Sequence, residues 1–109
     1  MRYGLVKYRL MDAEIRDIPL DFDGRGEVRG FAFRCCMRNG LAYMYEVVHR
    51  DSGHKHWEVF ERRENRRFGV ISYPKSSSFG LWAWCCRDYN DALKRYDWVT
   101  EKMFNKINI

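Results

Sequence analysis

The sequence is poor in the residues that interrupt, cross-link or anchor a chain. It has only two prolines among 109 residues, and its four cysteines form two adjacent pairs, Cys35-Cys36 and Cys85-Cys86. Nowhere do 18 apolar residues follow one another, so no membrane span is predicted. The first 15 residues contain no continuous apolar stretch and no small-residue cleavage site, so no signal peptide is expected. These absences predict a cytoplasmic protein whose thiols stay reduced.

Motifs of the common enzyme classes are also missing. The sequence contains no glycine-rich phosphate loop, no H-E-x-x-H and no G-x-S-x-G. The segment from Asp21 to Glu27 superficially looks like a calcium loop, but Arg25 and Ala32 stand where two of its ligands are required. Adjacent cysteines on a strand point to opposite faces, so neither pair can chelate one ion. We therefore expect a non-enzymatic protein with no metal and no cofactor.

The three histidines leave one metal site open as an alternative. His49, His54 and His56 bracket a single turn. A two-residue loop would place His49 opposite His56 and Asp51 opposite His54, which would bring four ligands to one face. A three-residue loop would instead place His49 opposite Lys55 and divide the cluster. The longer loop is preferred because it keeps the apolar residues of the flanking strands on one face.

What the sequence has in quantity is apolar, aromatic and charged residues. With 46% hydrophobic and 17% aromatic residues, residues 1–109 are expected to form one domain around one core. The formal net charge is +5. Residues 11–29 hold six acids against three arginines, a net charge of −3, which leaves +8 on the remainder. We interpret residues 11–29 as an acidic connector, with a short strand around residues 15–20 as an option.

The patterns along the chain predict an α+β fold. Residues 3–10, 68–73 and 79–86 have the composition of strands, and loops ending in Gly40 and Gly53 predict two hairpins between residues 30 and 61. From residue 89 the apolar period changes from two to 3.6, which predicts a helix over residues 89–106 with Asp88 as its N-cap. The predicted architecture is an antiparallel sheet of about five to six strands, a meander of hairpins, with one C-terminal helix packed on one face.

The two hairpins also predict which residues form the core. Three-residue loops pair Phe33 with Tyr45, Val47 with Trp57 and Tyr45 with Val59. One face is then uniformly apolar and is expected to pack against the helix. Its members are Phe31, Phe33, Tyr43, Tyr45, Val47, Trp57 and Val59.

A basic run between two predicted strands is the first candidate binding site. Arg62, Arg63, Arg66 and Arg67 occur within six residues, with Lys75 on the next loop. Guanidinium groups bind phosphates bidentately and remain charged. The alternative is a solvated loop that keeps a sheet edge soluble. In either case these arginines are expected to touch only water in the free protein and to be removable without unfolding.

Two tryptophans of the last predicted strand are the second candidate. Trp82 and Trp84 are two residues apart, so an extended strand would place both indoles on one face. If the helix covers the opposite side, around Ala83, both indoles point outward and could stack single-stranded bases. The alternative is that both tryptophans belong to the core while Ala83 faces solvent.

These features favour a small non-enzymatic nucleic-acid-binding accessory domain without sequence specificity. The predicted interface comprises Arg62, Arg63, Arg66, Arg67, Lys75, Trp82 and Trp84. The alternative function is a protein–protein interaction module, an adaptor or inhibitor, which uses an aromatic sheet face or the acidic segment 11–29. Nucleic acid or protein is thus the expected partner, and no membrane association is predicted.

Overall fold

The computed structural model describes residues 15–107. The strand predicted over residues 3–10 lies outside the described residues. Within them the chain forms seven strands, two short 3₁₀ turns (Gly26–Val28 and Ser76–Ser78) and one α-helix. The strands are β1 (Asp21–Asp23), β2 (Phe31–Arg38), β3 (Ala42–His49), β4 (Lys55–Glu61), β5 (Glu64–Asn65), β6 (Val70–Ile71) and β7 (Ala83–Cys86), and helix α1 spans Tyr89–Ile107.

The predicted α+β architecture is confirmed. Five strands form an antiparallel sheet in the order β1-β2-β3-β4-β7, and β5 pairs with β6 in a separate two-stranded sheet. The C-terminal helix α1 packs on the main sheet against β3, β4 and β7. Within residues 15–107, no helix combines the length and the apolar composition that crossing a membrane requires.

The sheet buries apolar residues on both faces, whereas the sequence predicted one core face. On one face, Phe33, Tyr43, Tyr45, Val47 and Phe60 form an aromatic cluster, which segments 15–28 and 70–82 cover. On the other face, α1 packs on a second set of residues. That set comprises Ala42, Met44 and Val59 from the sheet and Ala92, Tyr96 and Val99 from the helix.

The β2–β3 register differs from the prediction by two residues. Phe33 lies opposite Val47 rather than Tyr45, and a bulge between Cys35 and Met37 adds one more residue to the displacement near the turn. The displacement of two residues before the bulge leaves the side chains of residues 31–35 on their predicted faces. Phe33 is accordingly buried and Arg34 is exposed.

The β3–β4 register differs from the prediction by one residue, which has larger consequences. Residues 50–53 form a four-residue turn, in which Gly53 donates its backbone N–H to the carbonyl of His49. Val47 therefore lies opposite His56 instead of Trp57. The slip of one moves Trp57 and Val59 to the helix face, so the prediction that they share a face with Tyr45 is wrong.

Neither predicted pairing of the histidines occurs, because this longer turn places His49 opposite His54. Among residues 15–107, no group of three or more His, Cys, Asp or Glu side chains lies close enough together to hold a metal ion. All four cysteines are unbridged. That the protein binds no metal in solution stays a prediction.

The C-terminal helix follows the predicted boundaries. Asp88 Oδ1 accepts hydrogen bonds from the backbone N–H groups of Asn90 at 2.7 Å and Asp91 at 3.2 Å, which confirms Asp88 as the N-cap. The predicted apolar stripe faces the sheet through its central residues. Tyr89 and Ile107, at its two ends, are exposed.

Candidate nucleic-acid interface

Much of the positive charge of the arginine loop, defined as residues 62–67, is neutralised by nearby carboxylates. Glu64 lies between two of its arginines, with Arg66 Nη2 at 2.8 Å and Arg62 Nη2 at 3.5 Å from its carboxylate oxygens. The side chain of Arg67 extends over the ring of Phe68 instead, with the guanidinium carbon 5.4 Å from the ring centroid. Two of the four positive charges in the loop thus share a single carboxylate.

Arg63 forms an ion pair with a buried acid. Glu61, at the end of β4, is only 1% exposed, and its two oxygens accept hydrogen bonds from Arg63 at 3.0 Å and from Lys102 of α1 at 2.8 Å. Burial alone would raise the pKa of Glu61, but the two cations outweigh it and the pKa is lowered. Arg63 is therefore a structural cation that, with Lys102, holds a carboxylate inside the protein.

Arg62 is also engaged with the fold. It donates a hydrogen bond to the Tyr43 hydroxyl at 3.2 Å, and that hydroxyl donates in turn to Asp17 at 2.5 Å. Burial and the neighbouring Asp17 raise the pKa of Tyr43 to about 12. The expectation that the four loop arginines touch only water is wrong, because the short β5–β6 hairpin folds them back onto their own acids and rings.

The two predicted tryptophans do not share a face. Residues 80–82 form a turn rather than strand, in which Gly80 donates its backbone N–H to the carbonyl of Ala83 at 2.7 Å. Trp82 packs beside Phe60 on the aromatic side of the sheet, whereas Trp84 packs under α1. Ala83 is fully buried on the side opposite the helix. The prediction of a single stacking platform built from both indoles is therefore wrong.

Of the predicted interface, the structure brings together only one cation and one ring. The guanidinium carbon of Arg63 lies 5.2 Å from the Trp82 ring centroid. Lys75 is exposed on a different loop, just before the 3₁₀ turn Ser76–Ser78. Its backbone N–H donates a hydrogen bond to the Ser78 hydroxyl. The predicted residues do not form one continuous site.

A different set of cations and rings does converge, at the junction of β7 and α1. Trp84 and Trp98 meet edge to face, with ring centroids 5.2 Å apart and planes at 86°. Arg95 and Lys102 each lie between 5.0 and 5.3 Å from both ring centroids. Cations at such distances are attracted by the negative faces of the indoles, so the pair of rings fixes the positions of both side chains.

Beside this cluster a groove of about 580 Å³ runs between the β7 edge and the helix. We call it the helix groove; its lining residues are Cys85, Cys86, Arg87, Asp91, Lys94, Arg95 and Trp98. Arg87, Lys94 and Arg95 form no salt bridge with any carboxylate within residues 15–107. Trp98 is 46% exposed. Three cations without a salt bridge in residues 15–107, one acid (Asp91) and an accessible indole thus line one concave surface.

Part of this site is visible in the sequence as a helical spacing. Arg95, Trp98 and Lys102 are spaced by three and four residues, so a helix places them in one row. The helix itself was predicted correctly. Only the position of Trp84 against this row required the three-dimensional structure.

A second polar cluster occupies the aromatic side of the sheet. Buried Glu58 accepts a short hydrogen bond from the Tyr73 hydroxyl, and its other oxygen lies 2.8 Å from His56 Nε2. Cys85 is exposed and lies opposite Glu58 in the sheet. Burial and the charge of Glu58 raise the pKa of the Cys85 thiol, which disfavours the nucleophilic thiolate.

Comparisons with known proteins provide no relative from which a function could be transferred. No protein family, no curated protein and no solved structure matches the chain. The choice between the arginine loop and the helix groove therefore depends on their contacts. Three of the four loop arginines are bound to the protein's own acids, whereas three groove cations have no such partner in the described part of the chain.

Proposed function

We propose that the protein is a small, non-enzymatic nucleic-acid-binding accessory domain that contacts phosphates through the helix groove. The observation that carries the proposal is the set of three cations, Arg87, Lys94 and Arg95, that line the groove without a carboxylate partner in residues 15–107. The groove cations do not have to break an intramolecular ion pair before they contact a phosphate. The arginine loop would have to give up its bonds to Glu61 and Glu64 first.

The arrangement of Arg95 supports phosphate binding in particular. Its guanidinium carbon lies 5.3 Å from the Trp84 centroid and 5.0 Å from that of Trp98, so the side chain is positioned before any ligand arrives. A guanidinium offers five donors in a fixed fork that matches two phosphate oxygens. Pre-positioning reduces the conformational entropy lost on binding. Arg95 is therefore the residue for which we expect the strongest phosphate contact.

Charge around the helix groove is mixed but positive on balance. Arg95 and Lys102 lie in the row of α1 that meets Trp84, and Asp91, one turn before Arg95, is the one acid among the residues that line the groove. Three cations against one acid attract a polyanion to this surface. Contacts of this kind are made to the phosphate backbone and carry no sequence information. The binding is therefore proposed to be sequence-nonspecific.

A salt titration with two matched double variants tests the proposal. Lys94→Ser/Arg95→Ser removes two groove cations, and Arg66→Ser/Arg67→Ser removes two loop cations, so both variants have the same net charge. Each lost phosphate contact reduces the slope of log affinity against log salt by about one unit. We expect the groove variant to lose up to about two units of slope, measured by fluorescence anisotropy with a labelled oligonucleotide. The loop variant should keep the wild-type slope.

Two results would contradict the proposal. Equal slopes for wild type and groove variant would show that the helix groove makes no phosphate contact. A loss confined to the loop variant would return the interface to residues 62–67. Melting curves of both variants provide the folding control.

A protein–protein interaction module is the second candidate, favoured by two exposed apolar side chains. Phe68 is 67% exposed and Leu81 is 72% exposed. The other supports for this candidate are weaker in the structure. The aromatic sheet face proposed for a partner is buried, and Asp17 and Asp23 of the acidic segment already bind Arg38 and Arg50. A partner bound mainly through Phe68 and Leu81 would show little dependence of affinity on salt.

A further inference from the structure

We infer that the helix groove accepts one unstacked base, which makes single-stranded nucleic acid its ligand. This inference rests on the proposed function and adds to it the strandedness of the ligand. Phosphate contacts alone would not distinguish a single strand from a duplex. The walls of the groove offer more than phosphate contacts, because an indole, a guanidinium and a strand edge meet there.

The groove has the dimensions of a small-ligand site. Its volume of about 580 Å³ falls within the range of roughly 300–1,000 Å³ that is usual for pockets that enclose small organic groups. Bases of a duplex are stacked and paired, so they cannot enter such a groove without being extruded. Bases of a single strand are free to turn outward.

Trp98 and Arg95 supply the surfaces on which a base can stack. Trp98 is 46% exposed, and the edge-to-face contact with Trp84 holds it in position. The guanidinium of Arg95 lies over both indoles. Bases stack on aromatic rings and on guanidinium planes alike, and such stacking tolerates every base because each one has a π-face. Stacking here is thus compatible with binding that has no sequence preference.

The edge of the main sheet completes the groove. Strand β7 lies at the end of the strand order and pairs only with β4 among the described strands. An edge strand presents backbone N–H and C=O groups that lack a ladder partner. Cys85 and Cys86 of β7 line the groove, so the edge of a bound base lies near backbone donors and acceptors of both kinds.

Three probes and two variants test the inference. The probes are a single-stranded dT12, a 12-mer of the same length in which every residue is abasic, and a 12-base-pair duplex. We expect dT12 to bind the wild-type protein about tenfold or more tightly than the abasic strand, which is the scale of stacking one base. Trp98→Leu should abolish the preference for dT12 over the abasic strand, although the loss of the ring that positions Arg95 also weakens the binding of both strands. Trp98→Phe, which keeps a ring, should retain part of the difference.

The outcomes separate this inference from the proposed function. If dT12, the abasic strand and the duplex bind equally well with the same steep salt dependence, phosphate binding stands and the stacked base is refuted. An unchanged dT12 affinity in a folded Trp98→Leu variant refutes it as well. If no probe binds at low salt, the proposed function and this inference both fail. The comparison of dT12 with the abasic strand uses only wild-type protein, so it holds even if the variant does not fold.

Discussion

The arginine loop and the helix groove contain the same kind of residue in different electrostatic situations. In the loop, Arg62, Arg63 and Arg66 are bound to carboxylates, one of which, Glu61, is buried. In the groove, Arg95 lies against two indoles, and Arg87 and Lys94 are exposed without a salt bridge in residues 15–107. A cation held by a carboxylate contributes to the fold and offers a weaker attraction to phosphate. A cation held by a ring keeps its full charge for a ligand.

The density of positive charge in a sequence is therefore a poor guide to where a polyanion binds. Four arginines in six residues form the densest basic run of the chain, yet nearby acids offset much of their charge. The groove cations are more widely spaced, with Arg87 in the loop after β7 and Lys94 and Arg95 in α1. What distinguishes the two regions is the partner of each cation.

Removing both cations from Glu61 is the largest test of this comparison. Arg63→Met/Lys102→Met would leave a carboxylate that is 1% exposed without a counter-charge. Breaking a buried ion pair in this way typically costs about 3 kcal/mol or more in the free energy of unfolding. Urea denaturation followed by tryptophan fluorescence measures the loss.

The matched control takes the same number of cations from the groove. Arg87→Met/Lys94→Met should change the free energy of unfolding by at most about 0.5 kcal/mol per site, because neither residue has an ion-pair partner in residues 15–107. Equal midpoints for the two double variants would contradict the assignment of Arg63 and Lys102 to the fold.

The contribution of Glu61 to the pH dependence of stability should have opposite signs in the wild type and in Arg63→Met/Lys102→Met. In the wild type the pKa of Glu61 is lowered, so its contribution is present above the pKa of an unfolded glutamate and is lost as the pH falls through the lowered value. Without the two cations, burial raises the pKa instead, and the folded state gains from protonation. The stability gap between the two proteins should therefore narrow as the pH is lowered from 7 to 3. Melting temperatures across that range measure it.

A gap that stays constant or widens at low pH would show that Glu61 is not the group that links the cations to stability. Asp17 provides an internal reference for this experiment. Its pKa is lowered by hydrogen bonds from Tyr43, the Ile18 backbone and Arg38, which outweigh its burial, and these contacts are the same in both proteins. Its contribution therefore cancels when the two melting curves are compared.

Local signals in the sequence were sufficient for the helix and insufficient for the sheet register. The N-cap at Asp88 and the apolar stripe of α1 depend on neighbours within a few residues, so the sequence displays them directly. The β3–β4 register depends on whether the turn contains three or four residues. Because β3 carries large apolar residues on both faces, Met44 on one and Tyr45 on the other, alternation could not reveal which face the helix covers.

The contacts at the candidate interface could not be predicted from the sequence for a related reason. Lys102 and Glu61 are 41 residues apart in sequence, and nothing local marks Glu61 as buried. The turn at Gly80 interrupts the predicted strand and separates Trp82 from Trp84. Only the row of Arg95, Trp98 and Lys102 on α1 could have been found in advance, from its helical spacing.

The smallest expected effect comes from a comparison within the arginine loop itself. Arg66→Ser/Arg67→Ser removes two exposed cations, one bound to the partly exposed Glu64 and one lying over Phe68. Surface changes of this kind usually alter the free energy of unfolding by no more than about 0.5 kcal/mol. Substituting Arg62 and Arg63 as well should cost several times more, because Tyr43 and buried Glu61 would each lose a donor. Urea denaturation of the double and the quadruple variant measures both effects side by side. If the quadruple variant were as stable as the double, all four loop arginines would be solvent-facing charges, and the electrostatic distinction between the loop and the helix groove would disappear.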